Sequence, residues 1–104
     1  ATPVIWQQYV FAVSWGQRLH ALSLRSGDDV WMRSLPAAVT ATPVTAAGAL
    51  YVATEGGDLL ALDARTGQVL FSDRVAAGAI QASVLPVDDG VYVAALDGTV
   101  AAYG

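Results

Sequence analysis

Histidine occurs once in the 104-residue chain, at position 20, and cysteine and asparagine do not occur at all. Without cysteine there is no disulfide, no thiolate nucleophile and no cysteine-ligated zinc or iron–sulfur centre. A single histidine excludes a histidine-rich metal site. A Ser–His–Asp set can be composed around His20, but no serine sits on the strand–turn–helix pattern of a nucleophile elbow. The acidic runs Asp28-Asp29 and Asp88-Asp89-Gly90 lack the alternating oxygen ligands of a calcium loop and read as solvated turn acids. Glu55-Gly56-Gly57-Asp58 carries its own negative charges and precedes no helical pattern, so it reads as a hairpin turn rather than a phosphate loop. Two aromatic clusters remain, Trp6-Gln7-Gln8-Tyr9 and Trp15-Gly16-Gln17-Arg18. Aromatics with Gln and Arg on turns favour protein partners, which makes Trp6, Gln8, Trp15 and Arg18 candidate partner-binding residues. The structural alternative is that Trp6 and Trp15 cover the end of a sheet or meet a neighbouring element. No catalytic residue, metal ligand or cofactor-binding residue is assigned.

The elements that position these residues follow from composition and repetition. Hydrophobic residues make up 55% of the chain and charged residues 13%, too apolar and too weakly charged for disorder. The net charge is −4 and the five basic residues are scattered. That argues against nucleic acid and anionic lipid, both of which are bound through clustered cations. No apolar run reaches membrane-spanning length, and no basic start precedes an apolar stretch. The chain opens at Ala1-Thr2-Pro3-Val4, on a repeat boundary, as a mature, excised or designed piece would.

Ala1-Thr2-Pro3-Val4 recurs as Ala41-Thr42-Pro43-Val44. At that fixed offset of 40, Gly16 matches Gly56, Leu19 matches Leu59, Ala21-Leu22 matches Ala61-Leu62, Arg25 matches Arg65 and Gly27 matches Gly67. Phe11 falls on Tyr51, Ser14 on Thr54, His20 on Leu60 and Trp31 on Phe71. A third copy begins at Ala82-Ser83 with an offset of 41, placing Val91-Tyr92-Val93-Ala94 on Leu50-Tyr51-Val52-Ala53 and Gly98 on Gly57. The second unit predicts four strands: 42–45, 49–54, 59–64 and 69–75, with turns at 46–48, 55–58 and 65–68. No segment has sustained helical periodicity.

Four antiparallel strands at a period of about 40 residues describe a β-propeller blade. One four-stranded sheet cannot shield both of its apolar faces, whereas a stack of such sheets can. The chain is therefore read as all-β, about 2.75 blades of a propeller. The first blade takes residues 1–40, the second 41–81 and a partial third 82–104. A β-sandwich would not need the repeat, and a parallel solenoid would prefer a shorter one.

The run Ala61-Leu62-Asp63-Ala64-Arg65-Thr66-Gly67-Gln68-Val69-Leu70-Phe71 resembles the pyrroloquinoline-quinone-like propeller repeat, whose pattern is Ala-x-Asp-x-x-Thr-Gly-x-x-x-Trp. The first copy, from Ala21 to Trp31, keeps the alanine, glycine and tryptophan but has Ser23 at the aspartate position. The resemblance implies that Trp31 docks between adjacent blades, with Phe71 as its aromatic counterpart. It also implies that Asp63 and Thr66 brace a turn whose unusual backbone angle Gly67, or Gly27 in the first copy, supplies. The repeat occurs in quinoprotein dehydrogenases, in the lipoprotein scaffold of the outer-membrane β-barrel assembly machinery and in sensor domains of kinases. A dehydrogenase of that kind needs a catalytic carboxylate, calcium ligands that include Asn, and usually a vicinal disulfide. A chain without Asn or Cys is expected to hold neither the quinone nor calcium on its own, and to act as a non-enzymatic protein-binding or assembly scaffold. A piece of a dehydrogenase and a receptor sensor domain are the alternatives.

Propellers close with about four to eight blades, so this arc calls for protein partners: further blades of a parent chain, or copies of itself completing the ring. Nucleic acid and membrane insertion are not expected. The resemblance implies an extracytoplasmic location, in the periplasm or cell envelope.

Overall fold

The computed structural model describes residues 3–14, 17–39, 42–74, 83–87, 90–94 and 100–103. Among the described residues every regular element is a strand, and the strands form three antiparallel sheets. The first holds β1 (Val4–Trp6), β2 (Tyr9–Ser14), β3 (Arg18–Ser23) and β4 (Asp29–Ser34) in chain order. The second repeats that order with β5 (Val44–Ala46), β6 (Ala49–Ala53), β7 (Asp58–Asp63) and β8 (Val69–Arg74). The third contains β9 (Ser83–Val87), β10 (Gly90–Ala94) and β11 (Val100–Tyr103). These are propeller blades in an arc that does not close on itself.

The repeat extends to register. Phe11 pairs with Ala21 and Ala21 with Trp31; Tyr51 pairs with Ala61 and Ala61 with Phe71. The fourth strand of each full blade carries a bulge at the same place, with Val30 opposite the step from Ala21 to Leu22 and Leu70 opposite the step from Ala61 to Leu62. A bulge increases local twist, and its repetition gives both blades the same shape.

Side chains alternate between the two faces of a strand. In the second blade this sends Leu50, Val52, Leu60 and Leu62 toward Phe11, Leu19 and Ala21 of the first, and all seven are 5% exposed or less. The opposite face, with Tyr51, Ala53, Leu59 and Ala61, packs on Val91 and Val93 of the third. The segment after β4 joins this packing: Leu35 is buried, Val39 bridges to Thr54, and Glu55 N–H donates to Ala38 O at 2.8 Å.

Several predicted bounds shift by one or two residues. The first strand of the second blade runs 44–46 rather than 42–45, because Ala46 pairs with Ala49 and leaves only Ala47-Gly48 to turn the chain. Asp58 joins β7 through its pairing with Arg74, and Ala64 leaves it. Thr54 ends the ladder of β6 and bridges to Val39 instead. In the turn that follows, Gly57 alone adopts a positive φ, +86°. The predicted end of the fourth strand at Val75, and the third-copy residues Ala82 and Gly98, lie outside the described residues, as do Asp88 and Asp89.

Candidate functional site

Trp31 projects from β4 of the first blade onto the turn that joins β7 to β8 of the second. Its indole N–H donates to Ala64 O at 3.1 Å. Its six-membered ring lies over Gly67, so that a Cβ at position 67 would stand 2.5 Å from Cε3. Two residues along the same strand, the Arg33 guanidinium donates to Gly67 O. The turn is preset to receive them. Asp63 Oδ1 accepts from Arg65 N–H at 2.8 Å and Thr66 N–H at 3.3 Å, and Thr66 Oγ1 accepts from Gln68 N–H at 3.2 Å. Gly67 takes φ +76°, where a side chain is strained.

The first blade builds the same turn with other atoms. Ser23 Oγ accepts from Arg25 N–H at 3.2 Å and from Ser26 N–H at 3.3 Å, so the hydroxyl does the work of the Asp63 carboxylate. Ser26 Oγ accepts from Asp28 N–H at 3.3 Å, and Gly27 has φ +77°.

The inter-blade contact continues inward as an aromatic row. Trp6 stacks on Tyr9 at 5.9 Å, Tyr9 on Phe11 at 6.2 Å, and Phe11 meets Trp31 at 5.9 Å between ring centroids. Arg65 of the second blade reaches back over the Trp6 ring, 5.1 Å from its centroid, and donates to Gln7 Oε1 at 3.3 Å. This cation–π contact and the aromatic stacks each add roughly 0.5–1.5 kcal/mol to the packing. Phe71 has a different setting: it stacks on Tyr103 at 5.8 Å and meets Tyr51 edge-on. The Tyr103 hydroxyl donates to Asp73 Oδ2 at 2.8 Å, and burial together with that carboxylate pushes its pKa up to about 12.

The four candidate partner-binding residues do not form one patch. Trp6 is half-buried in the aromatic row, beside the exposed Gln8, whose carbonyl accepts from Leu24 N–H at 2.8 Å. Arg18 lies at the other end of the blade, a strand length away, about 17 Å at ~3.4 Å per residue. It is exposed there beside a shallow cavity of about 300 Å³ shared with Gln17, Ser34 and Leu35. Trp15 lies outside the described residues.

A hydrogen-bonded chain crosses the outer face of the first blade. Ser14 Oγ lies 2.8 Å from His20 Nε2, and His20 Nδ1 lies 3.2 Å from Asp29 Oδ1. In the tautomer that satisfies all three, the hydroxyl donates to Nε2 and Nδ1–H donates to the carboxylate. The connectivity is that of a nucleophilic triad. Its place in the repeat is mixed: the positions matching Ser14 and His20 are Thr54 and Leu60, both buried, and Leu60 lies in the core against the first blade, whereas the position matching Asp29 is Val69, which is exposed. Among the described residues no three His, Asp or Glu side chains cluster as metal ligands.

Arg33 and the Tyr103–Asp73 pair are contributors that the repeat pattern did not single out, and Arg65, which the repeat matches to Arg25, was given no role by it. Only Arg65 has a signal in the chain itself, its recurrence as Arg25 in the first copy; the position matching Arg33 in the second copy is Asp73.

A family model described as outer membrane protein assembly factor BamB matches residues 15–104. No curated protein matches the chain. Among solved structures, the computationally designed Ika8 protein superposes with a TM-score of 0.83 at 16% identity, over 97% of this chain and 31% of that one. BamB from Moraxella catarrhalis gives 0.76 at 23% identity, over 97% and 35%. A quinohemoprotein alcohol dehydrogenase from Pseudomonas putida HK5 gives 0.83 at 23% identity, over 98% and 18%. The chain therefore spans about a third or less of the length of these structures, and the likeness to them is one of fold.

Proposed function

Because the chain belongs to the family of the outer membrane protein assembly factor BamB, built of quinoprotein-type propeller repeats, we propose that it is a non-enzymatic blade module of a protein-binding scaffold. The observation that carries this reading is where its chemistry-bearing side chains are spent. Trp31, Arg33, Asp63 and Thr66 hold one blade to the next or brace the turn that receives it. Arg65 and Trp6 do the same from opposite sides of the contact. The chain's partners are further blades, either of a longer chain or of other copies, and its location is the cell envelope. On this reading the chain alone holds neither the quinone nor calcium.

Two measurements test the proposal together. Crosslinking or pull-down with envelope protein should recover protein partners. Titration with pyrroloquinoline quinone and calcium, followed by absorbance and dye reduction, should show neither a bound-cofactor spectrum nor turnover. Turnover without a protein partner would refute the scaffold reading in favour of a dehydrogenase piece.

A further inference from the structure

The two full blades finish the same outer corner with opposite charge patterns. In the second blade Asp58 opens β7 and pairs across the ladder with Arg74, which ends β8. The Arg74 guanidinium stands 3.8 Å from the Asp58 carboxylate and donates to Gly56 O at 2.8 Å. The charges of that corner are matched. In the first blade the repeat puts Arg18 at the Asp58 position and Ser34 at the Arg74 position, and these two pair across the ladder in the same way. The cation has moved to the third strand, and its carboxylate is gone. Among the described residues no Asp or Glu forms an ion pair with Arg18. Arg18 is exposed and borders a cavity of about 300 Å³ shared with Gln17, Ser34 and Leu35. Leu35 N–H donates to Gln17 O at 2.8 Å, which ties the turn to the end of the outer strand and fixes the cavity wall. Stacking does not close such a corner. The second blade has a blade on each side, and its Arg74 and Asp58 side chains are still 62% and 24% exposed.

We propose that the corner of Gln17, Arg18, Ser34 and Leu35 binds the side-chain carboxylate of an acidic residue in a protein partner. That residue supplies the charge that Asp58 supplies in the second blade. This assignment rests on the protein-binding role proposed above. The ligand's chemistry is set by what the corner holds. An arginine fork takes a carboxylate through two parallel hydrogen bonds. The Ser34 hydroxyl, directly across the ladder, and the Gln17 side-chain amide are neutral donors able to orient it. One cation balances one negative charge. A phosphate carries nearly two, and among the described residues no second basic side chain lines the cavity. The volume is at the small end for ligand sites and suits one side chain. A whole partner therefore gains most of its affinity from contacts around the corner, and the corner selects Glu or Asp over a neutral residue.

The probe is the capped tripeptide acetyl-Gly-Glu-Gly-amide, titrated at low salt into the isotopically labelled full chain and followed by backbone amide and arginine Nε–H shifts. Expected are shifts confined to Gln17, Arg18, Ser34 and Leu35, with a dissociation constant of about 10–50 mM, the range of one charge-assisted contact. Added salt should weaken the binding, and acetyl-Gly-Gln-Gly-amide should give no saturable shift. Arg18→Gln should abolish the shifts, whereas Arg25→Gln, at an exposed arginine on the other end of the blade, should leave them in place. Arg18→Asp combined with Ser34→Arg rebuilds the second blade's pair in a register that accepts it, and should also abolish binding while amide dispersion is kept. Acetate should bind several-fold more weakly than the peptide, whose flanking amides reach Gln17 and Ser34. Absence of localised shifts up to about 100 mM, equal binding by the Gln peptide, or binding that survives Arg18→Gln would each overturn the site. Acetate binding as tightly as the Glu peptide would overturn the protein partner. The scaffold reading fails on a separate result, turnover in the cofactor titration, which leaves the shifts at Arg18 as they are.

Discussion

Gly67→Ala and Gly27→Ala form a matched pair, because the two glycines share one backbone conformation and differ in what stands above them. At φ near +77° a Cβ costs about 1–2 kcal/mol, partly offset by roughly 0.4–1 kcal/mol from the less flexible unfolded chain. Gly27→Ala should therefore destabilise by about 1 kcal/mol. Gly67→Ala meets the same cost and also drives a methyl into the Trp31 ring, 2.5 Å away. The ring must move, which costs about 1–3 kcal/mol as overpacking, and its bond to Ala64 O is lost, about 1 kcal/mol more. The expected total is about 3–5 kcal/mol, a large part of the 5–15 kcal/mol that holds a typical domain together. Urea unfolding followed by circular dichroism measures both variants. A double-mutant cycle with Trp31→Ala isolates the contact: in that background Gly67→Ala should cost no more than Gly27→Ala. A coupling energy under about 0.5 kcal/mol, the additivity limit for independent sites, would refute the claim that Trp31 locks the blades through this turn.

Three other outcomes are expected. Asp63→Ala should destabilise by about 1–2 kcal/mol, since two turn amides lose a charged acceptor. Asp63→Ser should recover more than half of that loss, because Ser23 makes the same pair of bonds in the first blade; urea midpoints decide. Ala47, a non-glycine residue at φ +52° before Gly48 at +78°, occupies the first position of a two-residue hairpin turn. Ala47→Asn creates the favoured Asn-Gly pair and should stabilise by about 0.5–1 kcal/mol, read as a rise in melting temperature. Tyr103 should titrate near pH 12 by absorbance at the phenolate band. Its folded pKa lies above the unfolded value of 10.0, so its contribution is complete below that pH and is lost as pH rises toward 12. Asp73→Asn should lower the Tyr103 pKa and Tyr103→Phe should remove the step.

The blade architecture is legible in the sequence because two signals coincide at one offset: strand alternation, and glycines that fix the turns. Phe11, Ala21 and Trp31 share a row, as do Tyr51, Ala61 and Phe71, because each hairpin keeps its loop length. The turn contributions of Asp63, Thr66 and Gly67 are local, spanning a few residues, and motif spacing carries that kind of information. Contacts between blades are another matter. Arg65 over Trp6 joins residues far apart in sequence through the relative placement of two sheets, which no spacing rule encodes. The separation of Trp6 and Gln8 from Arg18 depends on which hairpin closes at which end. Strand ends move for a similar reason: Thr54 leaves its own ladder to pair with Val39, a neighbour that only the stacking provides.

The same logic accounts for His20, which stands where the second blade has Leu60. A polar side chain between stacked sheets is costly when unpaired and tolerable when every donor and acceptor is met. His20 meets its partners within its own sheet, from Ser14 on one neighbouring strand and Asp29 on the other. The bulge at Val30 sets Asp29 opposite Leu22, close enough for its carboxylate to reach the ring. The network is therefore complete within one sheet, on the face that also carries Val10, Ala12 and Leu22. In the second blade the matching Leu60 is buried in the core against the first blade instead. Satisfied from within, the imidazole lets the first blade keep the strand register of the second, Ala12 opposite His20 as Val52 is opposite Leu60, despite the loss of a leucine.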